Sequence, residues 1–112
     1  MRKVEAIIRE ERLKAVIEGL EENGYFGLTV TEVSGRGRQK GLTLQGRSAQ
    51  YQVDLIPKIK IEVVVMDGDV PLIVNTISRI ARTGDIGDGK IFIIPVEDAV
   101  RIRTGEVGED TV

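Results

Sequence analysis

Hydrophobic residues along this chain follow two spacings, and the places where one gives way to the other mark its elements. Val4 to Ile8 is a short apolar run suited to a strand. From Glu10 to Asn23, Leu13, Val16, Ile17 and Leu20 recur at helical spacing, and Gly24 closes the helix. From Tyr25 to Val33 the pattern alternates, with Phe26, Leu28 and Val30 on one face and Thr29 and Thr31 on the other. Lys58 to Val65 alternates again through Ile59, Ile61, Val63 and Val65. After Asp67-Gly68-Asp69, which reads as a turn and helix cap, Val70, Ile73, Ile77 and Ile80 return to helical spacing as far as Thr83-Gly84. Ile91 to Val96 reads as the last strand.

The order βαββαβ predicts an α+β fold of the split βαβ type, an antiparallel sheet with both helices on one face. The other face still carries apolar side chains such as Ile7 and Val64, which association with further copies would cover. At 112 residues, the chain is expected to be one domain, 1–112, with a core of its own. Its 16 basic and 18 acidic side chains give a net charge of -2, so no global charge draws it to nucleic acid or an anionic membrane. The absence of cysteine and histidine excludes disulfides, thiolate and imidazole metal sites, and Ser-His or Cys-His catalysis. Met1 to Ala6 lacks the apolar core of a signal peptide, and no run approaches the roughly twenty apolar residues of a membrane span. A cytoplasmic location without direct membrane insertion is expected.

The segment between the second and third strands, about 36–54, is unusually long for a connection in a compact domain. Arg36, Arg38, Lys40 and Arg47 stand in it against Asp54 alone, and Gly37, Gly41 and Gly46 leave it few core-type residues. It reads as an arm that, folded back on itself, reaches about 30 Å from the body.

Three basic groups are candidates for anion binding: the Gly-rich run, the base of the arm at Arg38 and Lys40, and the pair Arg101 and Arg103. Thr83 to Lys90 has the Gly-x4-Gly-Lys spacing of a phosphate-cradling loop, in which successive N–H groups turn inward and a lysine adds its charge. Here, however, the run follows a helical pattern and leads into a strand, and Ile91 stands where a P-loop has its Mg²⁺-binding hydroxyl. Spacing alone leaves a phosphate site and a plain glycine turn with a solvated lysine both open. Arg101 and Arg103 sit two apart and, in an extended segment, point to one face.

Taken together these blocks resemble the PII nitrogen-regulatory signal-transduction proteins over essentially the whole chain. The resemblance is carried by Thr29 to Val33 leading into Gly35-Arg36-Gly37-Arg38-Gln39-Lys40-Gly41, by Val53 to Val65, by Thr83 to Phe92, and by Val100 to Glu106. It implies a homotrimer of ferredoxin-like subunits that binds ATP or ADP in clefts between neighbours and acts as a nitrogen and energy signal-transduction regulator, not an enzyme. Gly37, Arg38, Gly87, Asp88, Gly89 and Lys90 match one side of the nucleotide site, and Thr29, Glu62, Val64, Arg101 and Arg103 the other. Gln39 matches the glutamine that holds Mg²⁺ together with 2-oxoglutarate and the ATP phosphates, and Lys58 the lysine that meets the keto acid's far carboxylate.

The arm matches the family's T-loop, about 36–54, which is inserted into partners such as an ammonium transporter or a nitrogen-metabolism enzyme. Binding a transporter would bring the protein to the membrane periphery. Arg47 falls where the pore-plugging arginine lies, and Tyr51 matches the tyrosine that some members uridylylate. Around Tyr51, Gly46, Ser48 and Gln50 depart from the usual pattern, and Ala49 lacks the hydroxyl that other members phosphorylate. Glu10-Glu11 replaces the usual Pro-Phe after the first strand, and the C-terminal segment runs from about 101 to 112. Two other classes share parts of this pattern. An ATP-hydrolysing or phosphoryl-transfer enzyme would use the Gly-rich loop, but no base is evident beside it. An RRM-like RNA-binding module shares βαββαβ, but Tyr25, Phe26, Tyr51 and Phe92 do not form its stacking motif.

Overall fold

The computed structural model describes residues 1–36 and 55–112. It is an α+β ferredoxin-like fold. Four strands, β1 (Arg2–Ile8), β2 (Thr29–Gly35), β3 (Ile56–Val65) and β4 (Lys90–Pro95), form one antiparallel sheet in the order β2-β3-β1-β4. Helices α1 (Leu13–Glu22) and α2 (Val70–Ala81) lie side by side on one face. The alternation seen in the sequence fixes this face. Val4, Ala6 and Ile8 of β1 and Ile59, Ile61, Val63 and Val65 of β3 are buried against Val16 and Leu20 of α1 and Ile73, Ile77 and Ala81 of α2.

The opposite face of the central strands carries mainly charge. Register puts Glu5 directly across from Glu62, an arrangement that like charges destabilise. Lys3 resolves it, its Nζ lying 2.8 Å from Glu62 and 3.2 Å from Glu5. Hydrogen bonding to Glu62, then to Glu5, raises the Lys3 pKa, and the same ammonium lowers that of Glu62. Ile7, Val64, Phe92 and Ile94 share this face, the last two exposed.

Several boundaries differ from the sequence pattern for identifiable reasons. The helix expected from Glu10 begins as a 3-10 turn, Glu10–Arg12, because Arg9 offers no side-chain cap and the first turn tightens onto its carbonyl, Arg12 N–H donating at 3.1 Å. The strand expected from Tyr25 starts only at Thr29, since the Tyr25 N–H is spent on the Leu20 carbonyl at the end of α1 and Phe26 is 72% exposed. Asp67–Asp69 is a 3-10 turn without a side-chain cap, and α2 stops at Ala81 because Arg82 is already extended. Arg101 and Arg103 are not on an extended segment. Val100 bridges Val107, the Gly105 N–H donates to the Arg101 carbonyl at 2.7 Å, and Gly105 at φ 76° closes a tight turn between them. No helix of the described residues is long and apolar enough to cross a membrane.

The two helices are in contact at Gly19, where a methyl group would stand 2.2 Å from Cδ1 of Ile80. The intruded atom is the end of a flexible side chain, so a rotamer shift of about 0.5–1.5 kcal/mol offsets the helix-propensity gain of about 1 kcal/mol from Gly to Ala. In urea unfolding, Gly19→Ala should stay within about 1 kcal/mol of the parent, whereas Gly19→Leu should lose about 1–3 kcal/mol through overpacking. Equal stability of the leucine variant would mean that the helices are not in contact there.

Candidate functional site

The Gly-rich run lies between α2 and β4, and one carboxylate organises it. Asp88 accepts hydrogen bonds from the Thr83 hydroxyl, from the Thr83 N–H at 2.8 Å and from the Gly84 N–H at 2.9 Å. The Arg9 Nε donates to it at 3.0 Å. These contacts, those of Thr83 first, hold the Asp88 carboxyl far below the usual carboxylate range. An aspartate beside a candidate phosphate site is awkward unless its charge is used internally, and here it is.

Glycine is required where the loop meets the sheet. Gly89 has φ 104°, and a Cβ there would lie 1.7 Å from the Ile7 carbonyl oxygen. Lys90 follows directly, paired in register with Ile7 and exposed on the charged face of the sheet. Gly87, at φ 103°, lies between two cations: a Cβ there would be 3.3 Å from the Arg9 guanidinium and 3.5 Å from the Lys58 ammonium. Lys58 Nζ donates to the Gly87 carbonyl, while Arg9 Nη2 donates to the Ile86 carbonyl at 2.8 Å. Burial, then the neighbouring Arg9, lowers the Lys58 pKa. Arg9 belongs to no motif, and only its position one residue beyond β1, at the strand end nearest the loop, would have drawn attention to it.

The second group of site residues lies elsewhere. Thr29, Glu62 and Val64 line an open cleft of about 630 Å3 together with Tyr25, Phe26 and Met66. A separate cleft of about 380 Å3 holds Asp88, Gly89 and Lys90. Thr29 is on β2 and Lys90 on β4, the two edges of the sheet. Three strand spacings part them, about 14 Å even before their offset along the strands. The chain beyond β4 leaves at the end of the sheet where Pro95 faces Arg2 and Val96 donates to the Met1 carbonyl, away from the Ile8 end that holds the loop. There Arg101 is tied to Glu106 at 2.9 Å and to the Asp110 carbonyl at 3.3 Å, while Arg103 is exposed. The Gly-rich loop and the Arg101–Arg103 pair therefore leave the sheet at opposite ends of β4. Gly37, Arg38, Gln39, Arg47 and Tyr51 lie outside the described residues. Among the described residues no group of three or more His, Cys, Asp or Glu side chains is placed to hold a metal ion.

Two expectations follow from the loop. Gly84 also has positive φ, 94°, but open space where a Cβ would go. Gly84→Ala should cost only the left-handed penalty of about 1–2 kcal/mol, and Gly89→Ala clearly more, because steric overlap with backbone adds to it; equal losses in denaturant titration would contradict the close approach. A depressed aspartate contributes stability that is present above its unfolded pKa, about 3.9, and is lost as the pH falls through the lower folded value. The Asp88 carboxyl resonance should thus show no titration step near pH 4, and a midpoint there would mean that its contacts to Thr83 and Arg9 are absent in solution.

Comparison with known proteins agrees with this architecture. The family model for nitrogen regulatory protein P-II matches residues 1–106. The whole chain is 56% identical to nitrogen regulatory protein P-II 2 of Methanothermobacter thermautotrophicus, covering 97% of that protein. Over the full length of both chains it is 57% identical to nitrogen regulatory protein P-II of Cereibacter sphaeroides and 54% identical to that of Azospirillum brasilense. A match of this extent, on a ferredoxin-like fold, means that the chain belongs to the P-II family of nitrogen regulatory proteins.

Proposed function

We propose that the protein is a cytoplasmic homotrimeric sensor that binds ATP or ADP, together with 2-oxoglutarate, in clefts between neighbouring subunits and signals through the 36–54 arm. The observation that carries this reading is that the two residue groups line separate clefts, Thr29, Glu62 and Val64 on β2 and β3 in one, and Asp88, Gly89 and Lys90 beside β4 in the other. A ring of three copies sets one subunit's β4 side, with Gly87, Gly89 and Lys90, against the next subunit's Thr29, Glu62 and Val64, so that halves useless alone form one cleft. Arg101 and Arg103 join from the neighbour, and Gly37 and Arg38 complete the loop side. Ring closure also covers the apolar members of the open sheet face.

Phosphates suit the loop side because Lys90 is exposed there, while the Asp88 charge is absorbed by Arg9, Thr83 and the Gly84 amide. The described residues offer Mg²⁺ no carboxylate cluster, and Asp88 is committed to the loop. Gln39 is the residue that would hold Mg²⁺, which when bound neutralises phosphate and keto-acid oxygens. Lys58 would take the far carboxylate of 2-oxoglutarate. Its present contact with the Gly87 carbonyl means that an anion arriving there competes directly with a tether of the nucleotide loop. Ligands that discriminate between two arm conformations by about 5.5 kcal/mol would move it from mostly one to mostly the other. Arg47 on that arm would then engage the partner, an ammonium transporter or a nitrogen-metabolism enzyme, and Tyr51 is a candidate for modification.

The geometry is poor for RNA stacking. The central strands present Lys3, Glu5, Lys60 and Glu62, with aliphatic Ile7 and Val64, where an RRM places its aromatic platform.

Light scattering should return three chains, and calorimetry should detect ATP binding to the parent. Lys90→Ala or Arg103→Ala should weaken that binding about ten- to a hundredfold, the worth of a charge-assisted contact. Gln39→Ala and Lys58→Ala should abolish the 2-oxoglutarate heats at saturating Mg-ATP and keep ATP affinity within a few-fold. A stable monomer that binds ATP tightly, or a parent that gives no 2-oxoglutarate heat, would contradict the shared cleft or the effector site respectively.

A further inference from the structure

We propose that Arg9 is a positioning residue of the Gly-rich loop, its guanidinium acting as a two-pronged clamp that holds Gly87 to Lys90 in the conformation that receives a phosphate. The inference rests on the nucleotide reading given above. It starts from the geometry of a fork: Nε reaches Asp88 at 3.0 Å and Nη2 reaches the Ile86 carbonyl at 2.8 Å. The two acceptors flank Gly87, so one rigid planar group fixes the loop on both sides of that glycine. Arg9 can do this because it directly follows β1, whose Ile7 carbonyl is the surface on which Gly89 rests. The loop is thereby referred to the central strand of the sheet and not to the end of α2.

The clamp also has an electrostatic task. Asp88 gathers the Thr83 and Gly84 amides, which shapes the first half of the loop, but its charge sits two residues from Lys90 and would repel a phosphate. Arg9 neutralises that charge while leaving the carboxylate free to accept from the amides. Lys58 supplies the loop's other tether, on the Gly87 carbonyl. If an anion draws Lys58 away, the Arg9 fork is what still holds the loop in place. A lysine at position 9 would keep the charge but could not span Asp88 and Ile86 with one planar group.

Two readouts on the full chain separate positioning from general stability. Amide hydrogen exchange without nucleotide would follow Thr83 and Gly84 against α1 and α2, and calorimetry would measure ADP affinity for the parent, Arg9→Ala, Arg9→Lys and Arg9→Ala with Asp88→Asn. The expected result is faster exchange at Thr83 and Gly84 in Arg9→Ala with unchanged protection in both helices, and ADP binding weakened about tenfold. Arg9→Lys should fall between parent and alanine variant, and the double variant should lose clearly less than the two single losses combined, Asp88→Asn alone completing the cycle. Parental ADP affinity in Arg9→Ala, retained protection at Thr83 and Gly84, additive losses, or exchange that rises across α1 and α2 as well would each overturn the proposal. A parent that binds no ADP would overturn the nucleotide reading and this inference with it, and that outcome is recognised from the parent alone.

Discussion

The order β2-β3-β1-β4 constrains everything else in this molecule. It places Thr29 on β2 and Lys90 on β4 at opposite edges of one hydrogen-bonded sheet, with Glu62 and Val64 on the interior strand β3, and no side-chain motion closes the gap of about 14 Å from Thr29 to Lys90. The helices cover one face only. The other carries the Glu5–Lys3–Glu62 arrangement beside Ile7, Val64, Phe92 and Ile94, a mixed surface with satisfied charges and unburied apolar area. Under the proposed function the site within one chain is incomplete, and a closed ring of copies would complete it and cover the apolar part of the open face.

The Gly-rich loop shows how a familiar spacing works in an unfamiliar setting. In a strand-loop-helix motif the helix terminus orients the phosphate-binding amides; here the loop leaves a helix and enters an edge strand, so other contacts must hold it. Asp88 gathers Thr83 and Gly84, Arg9 bridges Asp88 to Ile86, Lys58 takes the Gly87 carbonyl, and Gly89 presses on Ile7. The missing hydroxyl at Ile91 and the presence of an aspartate within the run, which look like defects in a P-loop, fit a loop whose charge and shape are set from the neighbouring strand.

The fold was legible where burial enforces a period. Ile59 to Val65 must alternate because one face of β3 lies against both helices, and Ile73 and Ile77 must repeat because α2 presses the same core. Boundaries were less legible where a backbone group has two possible partners. Tyr25 has strand character, yet its N–H closes α1. Arg101 and Arg103 alternate as a strand would, yet Gly105 at positive φ turns the chain back and Glu106 captures Arg101. The site divides in the same way. Gly87, Gly89, Lys90 and Lys58 stand out by spacing or charge, whereas Arg9 is one cation among many until the β1–β4 register brings it to Asp88.

The shared cleft is tested most directly by subunit mixing. Chains carrying Lys90→Ala would be unfolded and refolded together in equal amounts with chains carrying Arg103→Ala, and ATP binding measured on the mixture. If each cleft takes Lys90 from one chain and Arg103 from its neighbour, random trimers contain one intact cleft in every mixed ring, and about a quarter of all clefts should regain parental affinity. If both residues act within one chain, no combination restores a site, and a mixture that binds no better than the two variants measured separately would contradict the account.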